Sequence, residues 1–140
     1  MSVLSILQNA QTIAVVGLSP NPERASFRIS KYMQAQGYRI VPIHPAASEV
    51  LGEKAYPTLS AAAQAMAIDL VNVFRRSEDI PPIANEAVAI GAKALWLQLG
   101  IENDEACAHA ARHGLETVQD LCLKVEHAHL LRTGKLSARQ

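Results

Sequence analysis

Residues 12–26 read Thr-Ile-Ala-Val-Val-Gly-Leu-Ser-Pro-Asn-Pro-Glu-Arg-Ala-Ser, a short apolar run that stops at Gly17 and opens into a polar turn before a helical pattern. A buried strand feeding a glycine turn and a helix N-terminus is how many α/β proteins hold phosphates, because free backbone N–H groups and the helix dipole both face the anion. A phosphorylated ligand is therefore the first expectation. The dinucleotide fingerprint G-x-G-x-x-G is incomplete here, with Ser19 and Pro22 in the later glycine positions. Taken alone, the turn suits an ordinary strand-to-helix connection equally well.

Working outward, further apolar runs fall at residues 38–43, 70–74, 94–97 and 116–118. They are nearly continuous rather than alternating, as expected of strands covered on both faces in a parallel sheet. Helical patterns lie between them. Residues 24–36 carry Ile29, Tyr32 and Met33 at i, i+3, i+4 and end at Gly37, a natural C′ residue. Residues 59–66 follow Thr58, a candidate N-cap, and residues 82–90 place Ile83, Ala87 and Ile90 on one face before Gly91. Asn103 is placed to cap residues 104–112, whose first-turn acids Asp104 and Glu105 suit the dipole and which stop at Gly114. Short helices are expected at 3–8 and 122–131. The alternation predicts an α/β, Rossmann-like, doubly wound sheet of about five parallel strands with helices on both faces.

Composition bounds the rest. A chain of 140 residues, 49% hydrophobic and without long low-complexity tracts, fits a single domain over 1–140. The formal net charge is zero, so no global basic field recruits nucleic acid or an anionic membrane, and any anion site must be local. Apolar runs fall far short of the roughly 20 residues that span a bilayer, and the first ten residues lack a signal-peptide pattern, which predicts a cytoplasmic protein. Cys107 and Cys122 lack C-x-x-C spacing and are expected to be reduced thiols. His109 and His113 stand four apart without the glutamate of H-E-x-x-H, so a solvated helical face is expected rather than a metal site. Cys122 lies near Asp120, Glu126 and His127 in sequence, but nothing in the spacing brings them together.

Ligands of such sheets bind outside the carboxyl ends of the strands, near the switch in strand order. Those ends carry Gly17, Leu18 and Ser19; His44 and Pro45; Phe74, Arg75 and Arg76; and Gln98, Leu99 and Gly100. The second strand ends Val41-Pro42-Ile43-His44-Pro45, without the acid that reads a ribose 2′-hydroxyl in dehydrogenases. Trp96 is expected in the core and Arg76 on the surface facing Glu78 or Asp79, which leaves Arg75 as the better ligand cation. Gln98 interrupts an apolar run, and a buried amide there needs backbone or ligand partners.

Together, Gly17-Leu18-Ser19 with Arg24-Ala25-Ser26, Pro42-Ile43-His44-Pro45, Leu51-Gly52, Phe74-Arg75-Arg76 and Trp96-Leu97-Gln98-Leu99-Gly100 resemble the small stand-alone CoA-binding proteins. Their domain is similar to the N-terminal CoA-binding domain of the succinyl-CoA synthetase α subunit. The resemblance covers about residues 3–132. It implies coenzyme A as the ligand, with the diphosphate at Gly17, Leu18, Ser19, Arg24 and Ser26 and the adenosine by Pro42, His44 and Pro45. It further implies Phe74 and Arg75 flanking the ligand and Gln98 and Gly100 beside the pantetheine arm. The chain departs from the family pattern where asparagine is common and His44 stands, and where Asp-Arg-Cys is common and Asp120-Leu121-Cys122 stands.

The leading expectation is non-enzymatic binding of CoA or an acyl-CoA. The alternatives are a nucleotide-dependent enzyme, either an NAD oxidoreductase or a component of an acyl-CoA ligase, and an interaction subunit that uses the same fold with a protein partner or a second copy. The missing acid opposes the oxidoreductase, and the missing phosphohistidine domain opposes the ligase.

Overall fold

The computed structural model describes residues 3–139. The chain runs α1 (Val3–Asn9), β1 (Thr12–Val16), α2 (Ala25–Ala35), β2 (Arg39–Ile43), β3 (Glu49–Val50), β4 (Glu53–Lys54), α3 (Leu59–Ala63) and β5 (Leu70–Val73). A 3₁₀ turn (Ser77–Asp79) then leads into α4 (Ile80–Ala89), β6 (Ala94–Leu97), α5 (Asp104–Arg112), β7 (Glu116–Val118) and α6 (Leu123–Arg132). The main sheet is five-stranded and wholly parallel, in the order β2-β1-β5-β6-β7. β1 pairs with β2 on one side and β5 on the other, so the strand order switches at β1. This is the expected Rossmann-like α/β fold.

Strand alternation divides the core into two layers. Ala14, Val16, Val71, Val73, Leu95 and Leu97 face α3, α4 and α5. Ile13, Val15, Leu70 and Trp96 face α1, α2 and α6. Every residue of β5 and β6 is buried, the pattern of central strands covered on both sides. Trp96 is fully buried as expected, and its indole N–H donates to the Leu121 carbonyl at 2.8 Å, tying the loop after β7 to the core. Pro42 sits in β2, an outer strand of the sheet, where its missing N–H is tolerated.

The helix punctuation works as read. Thr58 accepts the Ala61 N–H at 3.1 Å and Asn103 the Ala106 N–H at 2.9 Å. Some boundaries differ. α4 begins before residue 82, because Pro81 and Pro82 fall in its first turn where their missing N–H groups have no intrahelical partner to lose. α3 ends at Ala63, short of 66. β5 stops at Val73, which releases Phe74 to the sheet edge. The sequence reading contained no β3–β4 hairpin. Its turn uses Leu51 (φ 56°) and Gly52 (φ 76°), two consecutive left-handed residues as a two-residue hairpin requires. The Leu51 carbonyl accepts the Gln34 side-chain N–H at 3.1 Å, which anchors the strained residue to α2. Among the described residues no helix is long and apolar enough to cross a membrane.

The C-terminal segment closes on the opposite edge. Arg139 donates to the carbonyls of Leu7 (2.9 Å) and Ala10 (2.7 Å) and to Gln11 Oε1 (3.1 Å), and its guanidinium stacks 3.9 Å above the Tyr38 ring. The Leu7 carbonyl also accepts the Tyr38 hydroxyl at 2.6 Å, so the end of α1 is held by both residues.

Candidate functional site

The hydrogen-bond ladder continues one residue past β1. Gly17 donates its N–H to the Ile43 carbonyl at 3.1 Å, and Phe74 donates its N–H to the Val16 carbonyl at 2.9 Å. These bonds press the Gly17 and Phe74 backbones together. Gly17 has φ +85°, and a Cβ there would lie 2.6 Å from the Phe74 carbonyl oxygen and 3.1 Å from Arg75 Cδ. Glycine is required both by conformation and by space.

Beyond Gly17 the chain is folded by its own short side chains. The Ser26 hydroxyl accepts the Ser19 N–H at 3.0 Å, Ser19 Oγ accepts the Asn21 N–H at 3.1 Å, and Asn21 Oδ1 accepts the Glu23 N–H at 3.0 Å. Such serine and asparagine turns fix a loop without a ligand. Arg24 occupies the N-cap position of α2 and makes no side-chain capping bond. The Phe27 N–H donates to the Arg24 carbonyl at 3.1 Å, which leaves the N–H groups of Ala25 and Ser26 to attract an anion.

A crevice of about 430 Å³ opens here, lined by Gly17, Ser19, Arg24, Ala25, Ser26 and Phe74. A second, of about 450 Å³, adjoins it across Phe74 and is lined by Phe74, Arg75, Arg76, Asp79 and Ile101. Together they form a channel over the switch between β1 and β5, with Phe74 as the common wall. Arg75 reaches Asp79 at 3.5 Å, and Arg76 reaches the same carboxylate oxygen at 3.3 Å and Glu78 at 3.7 Å.

Six expected site residues thus line the channel: Gly17, Ser19, Arg24, Ser26, Phe74 and Arg75. The other six line neither crevice. Leu18 is fully buried in the core. Pro42 is a buried strand residue whose carbonyl accepts the Tyr56 N–H at 2.9 Å, while Pro45 is exposed in the following turn. His44 folds back, its Nδ1 accepting the N–H groups of Ala46 and Ala47, both at 3.0 Å. Asparagine Oδ1 can accept in the same kind of turn.

Gln98 is 3% exposed; its Nε2 donates to Asn72 Oδ1 at 2.7 Å and its Oε1 accepts the Leu123 N–H at 3.4 Å. The partners that a buried amide demands are supplied by the protein itself. Gly100 lies exposed at the same sheet edge, its N–H donated to Asp120 Oδ1 at 2.7 Å. Asp79 and Ile101 were not anticipated as lining residues. The spacing of Asp79 from Arg76 signalled one ion pair, but its sharing with Arg75 emerges only from the 3₁₀ turn that gathers all three.

The remaining chemistry is accounted for elsewhere. Asp120 accepts the Gly100 N–H, and the His127 Nδ1 shares a 2.9 Å hydrogen bond with the Tyr32 hydroxyl. His127 packs edge-on to Tyr32 and Tyr38, and burial, then the Arg139 charge, lower its pKa from the ordinary 6.5. Burial and the neighbouring Asp104 push the Cys107 thiol up, away from reactivity. Among the described residues no cluster of His, Cys, Asp or Glu is arranged to hold a metal. A separate groove of about 300 Å³ between α4 and α5, lined by residues that include Asn85, Glu105, His109 and Arg112, shares no residue with the channel.

A parallel sheet with its crevice at the switch, a space-restricted glycine and an uncapped helix start is the architecture of an α/β nucleotide-ligand domain. Residues 11–128 match the family described as a CoA binding domain, and the chain belongs to that family. An uncharacterized protein of Bacillus subtilis, YneT, is 44% identical over 126 residues, 90% of this chain and 92% of its own. The structure of a hypothetical protein from Pyrococcus horikoshii is similar at TM-score 0.87 with 35% identity, covering 92% of this chain and 89% of that one. A dinucleotide-forming acetyl-coenzyme A synthetase of Ca. Korarchaeum cryptofilum shares the fold at TM-score 0.72 and 22% identity, matching 84% of this chain and 28% of the synthetase.

Proposed function

We propose that this protein binds coenzyme A or an acyl-CoA in the channel over β1 and β5 and does so without turning it over. The observation that carries the reading is the crevice at the switch in strand order, where the Gly17 turn, the start of α2 with no side-chain cap, and the side chains of Arg24 and Arg75 lie around Phe74. That set fits a diphosphate: the start of α2 with its dipole and Arg24 on one side of Phe74, and Arg75 on the other. When bound, the coenzyme would supply a thiol or thioester at the end of its pantetheine arm. The chain's residues would hold the phosphates, and among the described residues the Asp120 and His127 side chains bond to Gly100 and Tyr32 rather than to Cys122.

The end of β2 favours CoA over NAD. His44 and Pro45 stand where a ribose-reading acid would be, and the His44 ring is committed to its own turn. Calorimetric titration with CoA, dephospho-CoA and NAD tests the reading, with CoA expected to bind most tightly. Equal or tighter NAD binding would overturn it. Sustained release of CoA from acyl-CoA, lost in Cys122→Ser, would overturn its non-enzymatic half.

A further inference from the structure

Arg75 is divided between two places. Its stem crosses the glycine turn, with Cδ 3.1 Å from where a Gly17 Cβ would be, yet its head group is drawn along the 3₁₀ turn to Asp79 at 3.5 Å. The same Asp79 oxygen also takes Arg76 at 3.3 Å, so one carboxylate gathers both cations of the channel's second half. We propose that Asp79 is a latch that parks Arg75 away from the diphosphate position and thereby sets the affinity of the site. This rests on the CoA reading above.

The physical case is competition. Exposed ion pairs are weak because solvent screens them and two long side chains must be held still, and the Arg75 and Arg76 side chains are 46% and 74% exposed. A diphosphate offers stronger charge-assisted, bidentate acceptors to the same guanidinium. Ligand entry would then exchange one partner of Arg75 for another by side-chain torsion alone, and any energy spent releasing Asp79 subtracts from binding. Asp79 makes no capping bond to α4, so its replacement removes no helix cap. Glu78 supplies the control: it carries the same charge in the same turn but touches only Arg76, at 3.7 Å.

The test is calorimetric titration of CoA into the whole protein and its variants. Asp79→Asn should bind about two- to fivefold more tightly than wild type, and Glu78→Gln less than about twofold more tightly. In an Arg75→Ala background, Asp79→Asn should change affinity by less than about twofold, because the latch has nothing left to hold. Asp79→Ser, which keeps a residue suited to the N-cap, repeats the measurement if the asparagine variant folds poorly. Equal gains from Asp79→Asn and Glu78→Gln would reduce the effect to net charge, and a gain that survives Arg75→Ala would assign it to another residue. Either result overturns the latch, as does an unchanged affinity in Asp79→Asn. Failure of CoA to bind wild type and Asp79→Asn alike would instead overturn the ligand reading itself.

Discussion

The carbonyl oxygen of Phe74 lies 2.6 Å from the point that a Cβ on Gly17 would occupy. That oxygen belongs to backbone fixed by the adjacent ladder bond to Val16, so it has little freedom to retreat. Gly17→Ala therefore combines a left-handed backbone, costing about 1–2 kcal/mol, with a backbone clash that displaces the end of β1 from β5. Chemical denaturation should record a loss of about 2 kcal/mol or more, with CoA affinity lost together with stability.

Arg75 should behave in the opposite way. It is exposed and its ion pair with Asp79 is weak, so Arg75→Ala should leave the melting temperature of the free protein nearly unchanged. Loss of a charge-assisted contact to phosphate should weaken CoA binding about tenfold or more, as read by calorimetry. Unaltered affinity would make Arg75 a surface residue only.

His44 is a turn residue by its geometry, since both its hydrogen bonds are received at Nδ1 from the two residues that follow closely. His44→Asn should preserve stability, whereas His44→Ala should cost about 1 kcal/mol by leaving those N–H groups without an acceptor. A thermal melt of the two variants side by side decides between this role and one in ligand contact alone.

How far the fold and site were legible follows from such cases. The central strands could be read because burial on both faces writes itself as nearly unbroken apolar runs, and the helix caps because Thr58 and Asn103 act within three residues. The β3–β4 hairpin could not, because two-residue strands are too short to show a period and Leu51 gives no hint of a left-handed backbone. Gln98 could be marked as an amide needing partners, but not which ones: Asn72 is 26 residues away and Leu123 is 25. The Arg75 contact to Asp79 was hidden likewise, because it depends on the 3₁₀ turn over Ser77–Asp79, which is too short to show a period in the sequence.

The buried amide pair yields its own expectation. Gln98→Leu strips Asn72 Oδ1 of its donor and the Leu123 N–H of its acceptor in a buried layer, which should cost about 1–3 kcal/mol in denaturant unfolding. Replacing Asn72 as well should recover part of that loss, because removing both partners leaves fewer unmet groups than removing one. Additive losses in the double variant would show that the two residues act separately.

His127 makes stability depend on pH. Its folded pKa is depressed below 6.5 by burial and then by Arg139, so below that pH the unfolded chain takes up a proton that the folded chain resists. Stability from this group is complete above the unfolded value and declines as pH falls from there toward the folded one, by at most about 1.4 kcal/mol per pH unit. Melting temperatures measured from neutral pH downward should fall more steeply in wild type than in His127→Gln. Identical slopes would refute the assignment.

The Arg139 clasp has a kinetic side. Its contact with Gln11 spans 128 residues, and its docking place on α1 exists only once α1 and the start of β2, which carries Tyr38 beside it, have assembled. Bonds that must wait for the rest of the chain contribute little to the folding transition state, so they act as a brake on unfolding instead of an aid to folding. The clasp should therefore lengthen the lifetime of the native state while leaving the speed of its formation unchanged, and the sheet edge opposite the channel becomes the place where unfolding is slowed.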